Sequence, residues 1–148
     1  MSRILIIAYG NPLRCDDGLA WHAAEKLSLR KLSGDVELVT RHQLAPELAL
    51  LASRAANVLF IDAAHAGVPG ELRWAPVEAQ QQASPFTHDF SPAAILGLAQ
   101  ELYGGRPRAF ALSLVGECFD HGETLSSEVR ESLPKLVALA SEWIDKAQ

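Results

Sequence analysis

Residues 4–18 read Ile4-Leu5-Ile6-Ile7-Ala8-Tyr9-Gly10-Asn11-Pro12-Leu13-Arg14-Cys15-Asp16-Asp17-Gly18, and this stretch decides the fold. Its first half is an unbroken apolar, β-branched run, the pattern of a strand buried on both faces. Gly10-Asn11-Pro12 then turns the chain. Two adjacent carboxylates, Asp16 and Asp17, follow, and Gly18 leads into Leu19-Ala20-Trp21-His22-Ala23-Ala24-Glu25-Lys26-Leu27, where Leu19, Ala23 and Leu27 recur at helical spacing. A strand that feeds a helix through an acidic loop places that loop at its carboxyl end, the edge where open α/β sheets bind ligands.

The same alternation continues outward. A helix is expected from about Gly18 to Leu29, a second strand at Val36–Val39, and a short helix over Glu47–Ala56 after Pro46. Val58-Leu59-Phe60-Ile61 is a third apolar strand, ending at Asp62. Leu72 and Trp74 alternate with Arg73 after a turn at Gly67–Gly70, too short for a crossover helix, so that strand is expected to run antiparallel at an edge. Glu78–Asp89 keeps no apolar period and is read as a loop. Ser91-Pro92 opens a helix through Tyr103, Ala109–Val115 is another strand, and Ser126 caps a final helix in which Pro134 implies a kink or a broken first turn. The expected architecture is α/β: a single three-layer domain over residues 1–148, with a twisted, mostly parallel sheet of about five strands, one of them antiparallel, and helices on both faces.

Composition sets outer limits. In 148 residues, 49% are hydrophobic and 21% charged, enough apolar material for a packed core. The formal net charge of −5 and the absence of any basic run argue against nucleic acid as a partner. Two cysteines, Cys15 and Cys118, are too few for a disulfide framework. The first apolar run is too short to span a membrane and no cleavage pattern follows it, so a cytoplasmic setting is expected.

The chemistry-bearing residues gather at strand ends and in the long loop. Asp16-Asp17 and Asp62 end strands, and His88 sits in Phe86-Thr87-His88-Asp89. Two carboxylates and an imidazole suit a borderline divalent ion with open positions, and equally suit acid–base work. Each also has a plain reading: Asp62 as a turn former, Asp16-Asp17 as acids at a helix N-terminus, and His88 as a solvated histidine. Cys15 lies beside two carboxylates that should raise its pKa and suppress the thiolate. Cys118 reads as a small apolar filler near a strand end. His22, His65 and His121 read as surface residues, while His42 ends a strand and is the one of these expected to line the cleft. No nucleophile elbow, dinucleotide fingerprint or His-Glu-x-x-His helix is present.

The segment Ala8–Gly18, with Phe60-Ile61-Asp62-Ala63 and Phe86-Thr87-His88-Asp89-Phe90-Ser91-Pro92, resembles the hydrogenase maturation proteases. These endopeptidases trim the C-terminal tail of the large subunit of nickel–iron hydrogenases. The family pattern runs Gly-x-Gly-Asn, an apolar pair, a short spacer, two acids and Gly. Gly116-Glu117-Cys118-Phe119 through Leu125-Ser126 is similar to the family's late motif. Ala8 stands where the family has its first glycine, and Cys15 where glycine often precedes the acids.

The resemblance implies that Asp17, Asp62 and His88 contact nickel supplied by the substrate, a hydrogenase large-subunit precursor. Another divalent ion such as zinc or cadmium would take that place in a crystal. It further implies that Gly10 and Asn11 shape the loop presenting Asp17, and that Asp16 supports the site or acts as general base. A monomer making a transient partner contact is expected. Two other readings stand beside this one: a non-catalytic module that recognises a metal-loaded partner, and a hydrolase of small substrates.

Overall fold

A computed structural model describes residues 3–32, 34–80 and 90–147. In chain order the elements are β1 (Arg3–Tyr9), a 3-10 turn (Cys15–Gly18), α1 (Leu19–Ser28), β2 (Asp35–Arg41), α2 (Leu48–Ser53), β3 (Asn57–Ala64), β4 (Leu72–Pro76), α3 (Pro92–Tyr103), β5 (Arg108–Val115) and α4 (Ser127–Lys146). The sheet order is β2-β1-β3-β5-β4. Every neighbouring pair is parallel except β4–β5, which is antiparallel as the short Gly67–Gly70 turn requires.

The inner strands β1 and β3 bury both faces, and the strand alternation sorts the core into two layers. Ile4, Ile6, Ala8, Leu59, Ile61, Leu112 and Leu114 pack with α1 and α4. Leu5, Ile7, Val58, Phe60 and Ala109 pack with α2 and α3. Each fully buried Leu or Ile contributes about 2 kcal/mol, which makes these two layers the main source of stability. At the β4 edge, Trp74 stacks on Phe110 with ring centroids 5.1 Å apart, and Trp143 of α4 packs beside both.

The helices differ from the sequence reading at their ends. The helix expected from Gly18 starts one residue later, behind the 3-10 turn, and α2 is shorter than Glu47–Ala56. Helix α4 carries on through Pro134, which breaks no turn of it. Leu133, Leu136, Val137 and Ala140 are buried on either side of the proline. Packing of that stripe outweighs the roughly 3 kcal/mol a proline costs inside a helix.

Chain direction positions the site. From β1 the chain passes to β2 on one side, then returns to β3 on the other. The carboxyl ends of β1 and β3 therefore flank the switch point of the sheet, where connections leave in opposite directions and open a crevice. Asp17, after β1, and Asp62, within β3, come within electrostatic reach of each other there.

Candidate functional site

Three polar residues replace the apolar pattern at the top of the sheet. Tyr9, Asp62 and Ser113 occupy the alternation positions that lower down belong to the α2–α3 layer, as Ile7, Phe60 and Ala111 do. The Tyr9 hydroxyl donates to Asp62 Oδ2 at 3.0 Å, and the Ser113 hydroxyl donates to Asp62 Oδ1 at 2.6 Å. Strand register sets the second contact, because Asp62 pairs directly with Ser113. Asp62 does not close its strand, as the sequence reading had it: β3 runs on to Ala64. Pairing with β5 through Ala64–Val115 holds that extension in the ladder.

Burial pushes the Asp62 carboxyl above the ordinary carboxylate range, and the charge of Asp17 adds to the rise. The two hydroxyl donors and nearby His65 oppose it without cancelling it. Tyr9 is pushed far up, first by burial and then by the Asp62 charge, so its hydroxyl stays protonated and remains a donor.

Asp17 arrives from the other side of the crevice. Its Oδ2 accepts the Asn11 N–H at 2.7 Å, and its own N–H bonds the Arg14 carbonyl at 3.0 Å. Gly10 makes this fold-back feasible. Its φ is +142°, and a Cβ there would lie 2.1 Å from the Asp17 carbonyl oxygen. The Trp21 indole N–H donates to the Gly10 carbonyl at 2.8 Å and ties α1 to the same turn. His42 meets Trp21 edge-on at 5.4 Å, so it borders this turn rather than the acids.

His65 completes the described cluster. Its Nε2 lies 3.4 Å from Asp17 Oδ1, and its ring stacks on Phe119 with centroids 3.9 Å apart. Sequence reading placed it on the surface. Its side chain is largely exposed, yet it is the described imidazole that pairs with a site carboxylate. A usable signal was its place three residues after Asp62, just past the strand end.

Asp16 is a different kind of acid. It is fully buried. Oδ2 accepts the N–H groups of Glu117 and Cys118 at 2.8 and 3.0 Å and the Ser126 hydroxyl at 2.7 Å, and Oδ1 accepts the Ser126 N–H at 2.8 Å. Burial alone would raise its pKa, but these four bonds win and hold it below the usual range. Ser126 is the N-cap residue of α4, as expected, but its hydroxyl serves Asp16 instead of the helix. Asp16 therefore ties the acidic turn to the segment after β5, and base chemistry there would cost it these bonds.

Cys15 takes a φ of +47°, the left-handed region that a glycine enters more easily. Hydrogen bonding to the Cys118 side chain, followed by burial, pushes its thiol up; the Asp16 charge contributes less.

His88 lies outside the described residues. The residues flanking that segment, Ala79 and Phe90, pack against the α2–α3 layer, the side of the sheet on which Asp62 sits. Among the described residues, no group of three or more His, Cys, Asp or Glu is arranged to hold a metal ion. What the described site provides is two carboxylates from opposite sides of the crevice, one imidazole paired with the more exposed of them, and two hydroxyls orienting the other. Among the described residues, no helix is long and apolar enough to cross a membrane.

No protein-family model and no curated protein sequence matches the chain. Solved structures do. The hydrogenase maturating endopeptidase HybD from E. coli is 20% identical with a TM-score of 0.77, covering 98% of this chain and 93% of that one. The NiFe hydrogenase maturation protease HycI from Thermococcus kodakarensis is 26% identical with a TM-score of 0.74, covering 97% and 93%. A hydrogenase 2 maturation peptidase from a Thaumarchaeota archaeon is 21% identical with a TM-score of 0.72, covering 96% and 97%. Over nearly its whole length, the chain has the fold of the NiFe hydrogenase maturation proteases.

Proposed function

We propose that this chain is an endopeptidase that removes the C-terminal tail of a nickel–iron hydrogenase large-subunit precursor after nickel insertion, working in the cytoplasm. The observation that carries the reading is the meeting of Asp17 and Asp62 at the switch point of a sheet whose structural neighbours are maturation proteases. Asp17, Asp62 and His88 are assigned to the nickel that the precursor brings with it. Two anionic oxygens and an imidazole are suitable donors for that ion. Recognition then depends on metal loading, because a precursor without nickel offers the acids no cation to hold.

The residues around the acids orient them. Tyr9 and Ser113 fix both oxygens of Asp62, and Gly10 with Asn11 fixes Asp17, so the carboxylates are set before the client arrives. His65, paired with Asp17, is largely exposed, so the cluster opens to solvent on that side, where a client's tail and water would approach. Asp16 is assigned a supporting role through its four hydrogen bonds.

The test is tail processing by Asp17→Asn and His88→Ala variants whose circular dichroism matches the parent protein. Both should lose processing. Unchanged processing by both would remove the assignment.

A further inference from the structure

We propose that Cys15 and Cys118 form a reversible intrachain disulfide, a redox modification site that locks the acid-bearing turn to the segment following β5. Both cysteines are free thiols in this structure, Cys15 buried and Cys118 half-buried. Their backbones run side by side. The Asp16 N–H bonds the Cys118 carbonyl at 2.9 Å, and the Cys15 N–H bonds the Gly122 carbonyl at 2.7 Å. Arg14 and Gly122 form a parallel β-bridge that extends the contact. These bonds set the Cys118 backbone directly beside the Cys15-Asp16 turn, the neighbourhood a disulfide between the two cysteines needs.

The side chains complete the case. The Cys15 thiol is pushed up first by the nearby Cys118 side chain, which fits the backbone geometry that sets the two residues side by side. Gly122 leaves room for that thiol, since a Cβ there would lie 2.9 Å from Cys15 Sγ. The surrounding backbone is already pinned by Asp16, which accepts the N–H groups of Glu117 and Cys118. Cross-linking therefore asks for rotation about side-chain bonds and little backbone movement.

The oxidant is a small-molecule disulfide of the glutathione type. The more accessible Cys118 sulfur attacks it, forming a mixed disulfide and releasing one glutathione thiol. Cys15 then attacks the Cys118 sulfur, closing the Cys15–Cys118 bond and releasing the second glutathione. Two protein thiols are oxidised and one glutathione disulfide is reduced to two thiols, so atoms and electrons balance. This inference goes beyond the proposed protease function and does not depend on it.

The test incubates the purified full chain with oxidised glutathione, then counts free thiols, measures intact mass and maps proteolytic peptides. The expected result is a monomer that has lost both thiols and two hydrogens, carries a Cys15–Cys118 cross-linked peptide, and regains both thiols with dithiothreitol. The Cys118→Ser variant should form no intrachain link. The proposal is overturned if both thiols of the parent protein persist, or if oxidation yields only glutathione adducts or dimers joined between chains.

Discussion

His65 Nε2 stands 3.4 Å from Asp17 Oδ1 while the His65 ring lies stacked on Phe119. The carboxylate assigned to the client's ion thus has a partner from the β3 end, held by an aromatic ring from the segment after β5. The His65 side chain is 64% exposed, so the pair is screened and worth at most about 1 kcal/mol. His65→Ala should therefore slow tail processing about three- to fivefold, well short of the loss expected from Asp17→Asn. Phe119→Ala should act in the same direction, and the double variant should be less than additive because both changes release one ring. Steady-state rates of the four proteins check this.

Asp62 offers a direct electrostatic test. The Tyr9 and Ser113 hydroxyls favour its charged form against burial. Removing either donor leaves burial less opposed, so Tyr9→Phe and Ser113→Ala should each move the Asp62 carboxyl titration to higher pH, by roughly one unit. Carboxyl-carbon NMR on the protein without added metal reads this shift. A titration that stays put or falls would show that the two hydroxyls do not support the charge.

Acid stability should report on Asp16. Its folded pKa lies below the ordinary value, so its contribution is present above the unfolded carboxylate range and is lost as pH falls through the folded pKa. Asp16→Ala leaves three N–H groups and a hydroxyl without their acceptor and should cost about 3–5 kcal/mol at neutral pH. The deficit relative to the parent protein should shrink in strong acid. Urea unfolding at several pH values measures both parts.

Gly10→Ala should disable the site more than the core. The added methyl meets the Asp17 carbonyl, and the +142° φ is unfavourable to any side chain. A loss of about 2–3 kcal/mol in stability is expected. Processing should be lost even at temperatures where the variant is fully folded, as thermal melts and rates on one preparation would show.

Much of this was legible in the chain itself. Short, β-branched apolar runs such as Ile4–Ile7 and Val58–Ile61, bounded by turn residues, read as strands covered on both faces, and the short Gly67–Gly70 turn accounts for the one antiparallel pairing. The convergence of Asp17 and Asp62 followed from the one lying in the turn after β1 and the other near the carboxyl end of the adjacent parallel strand β3. The role of His65 did not, because stacking on Phe119 joins residues 54 positions apart and leaves no local pattern. The separate fates of Asp16 and Asp17 were equally hidden, since adjacent acids look alike until their hydrogen-bond partners are known. Tyr9 and Ser113 did leave a trace: each puts a hydroxyl into an otherwise apolar strand, on the same face as Asp62. Pro134 misled because buried side chains around it hold the helix together.

The most direct measurement of the central claim is the intact mass of a hydrogenase large-subunit precursor, nickel-loaded or nickel-free, after incubation with this protein. A shortened C-terminus is predicted for the loaded precursor alone, and for neither precursor when Asp17→Asn replaces the parent protein. Equal shortening of both precursors, or shortening by the Asp17→Asn variant at the parent rate, would contradict the account.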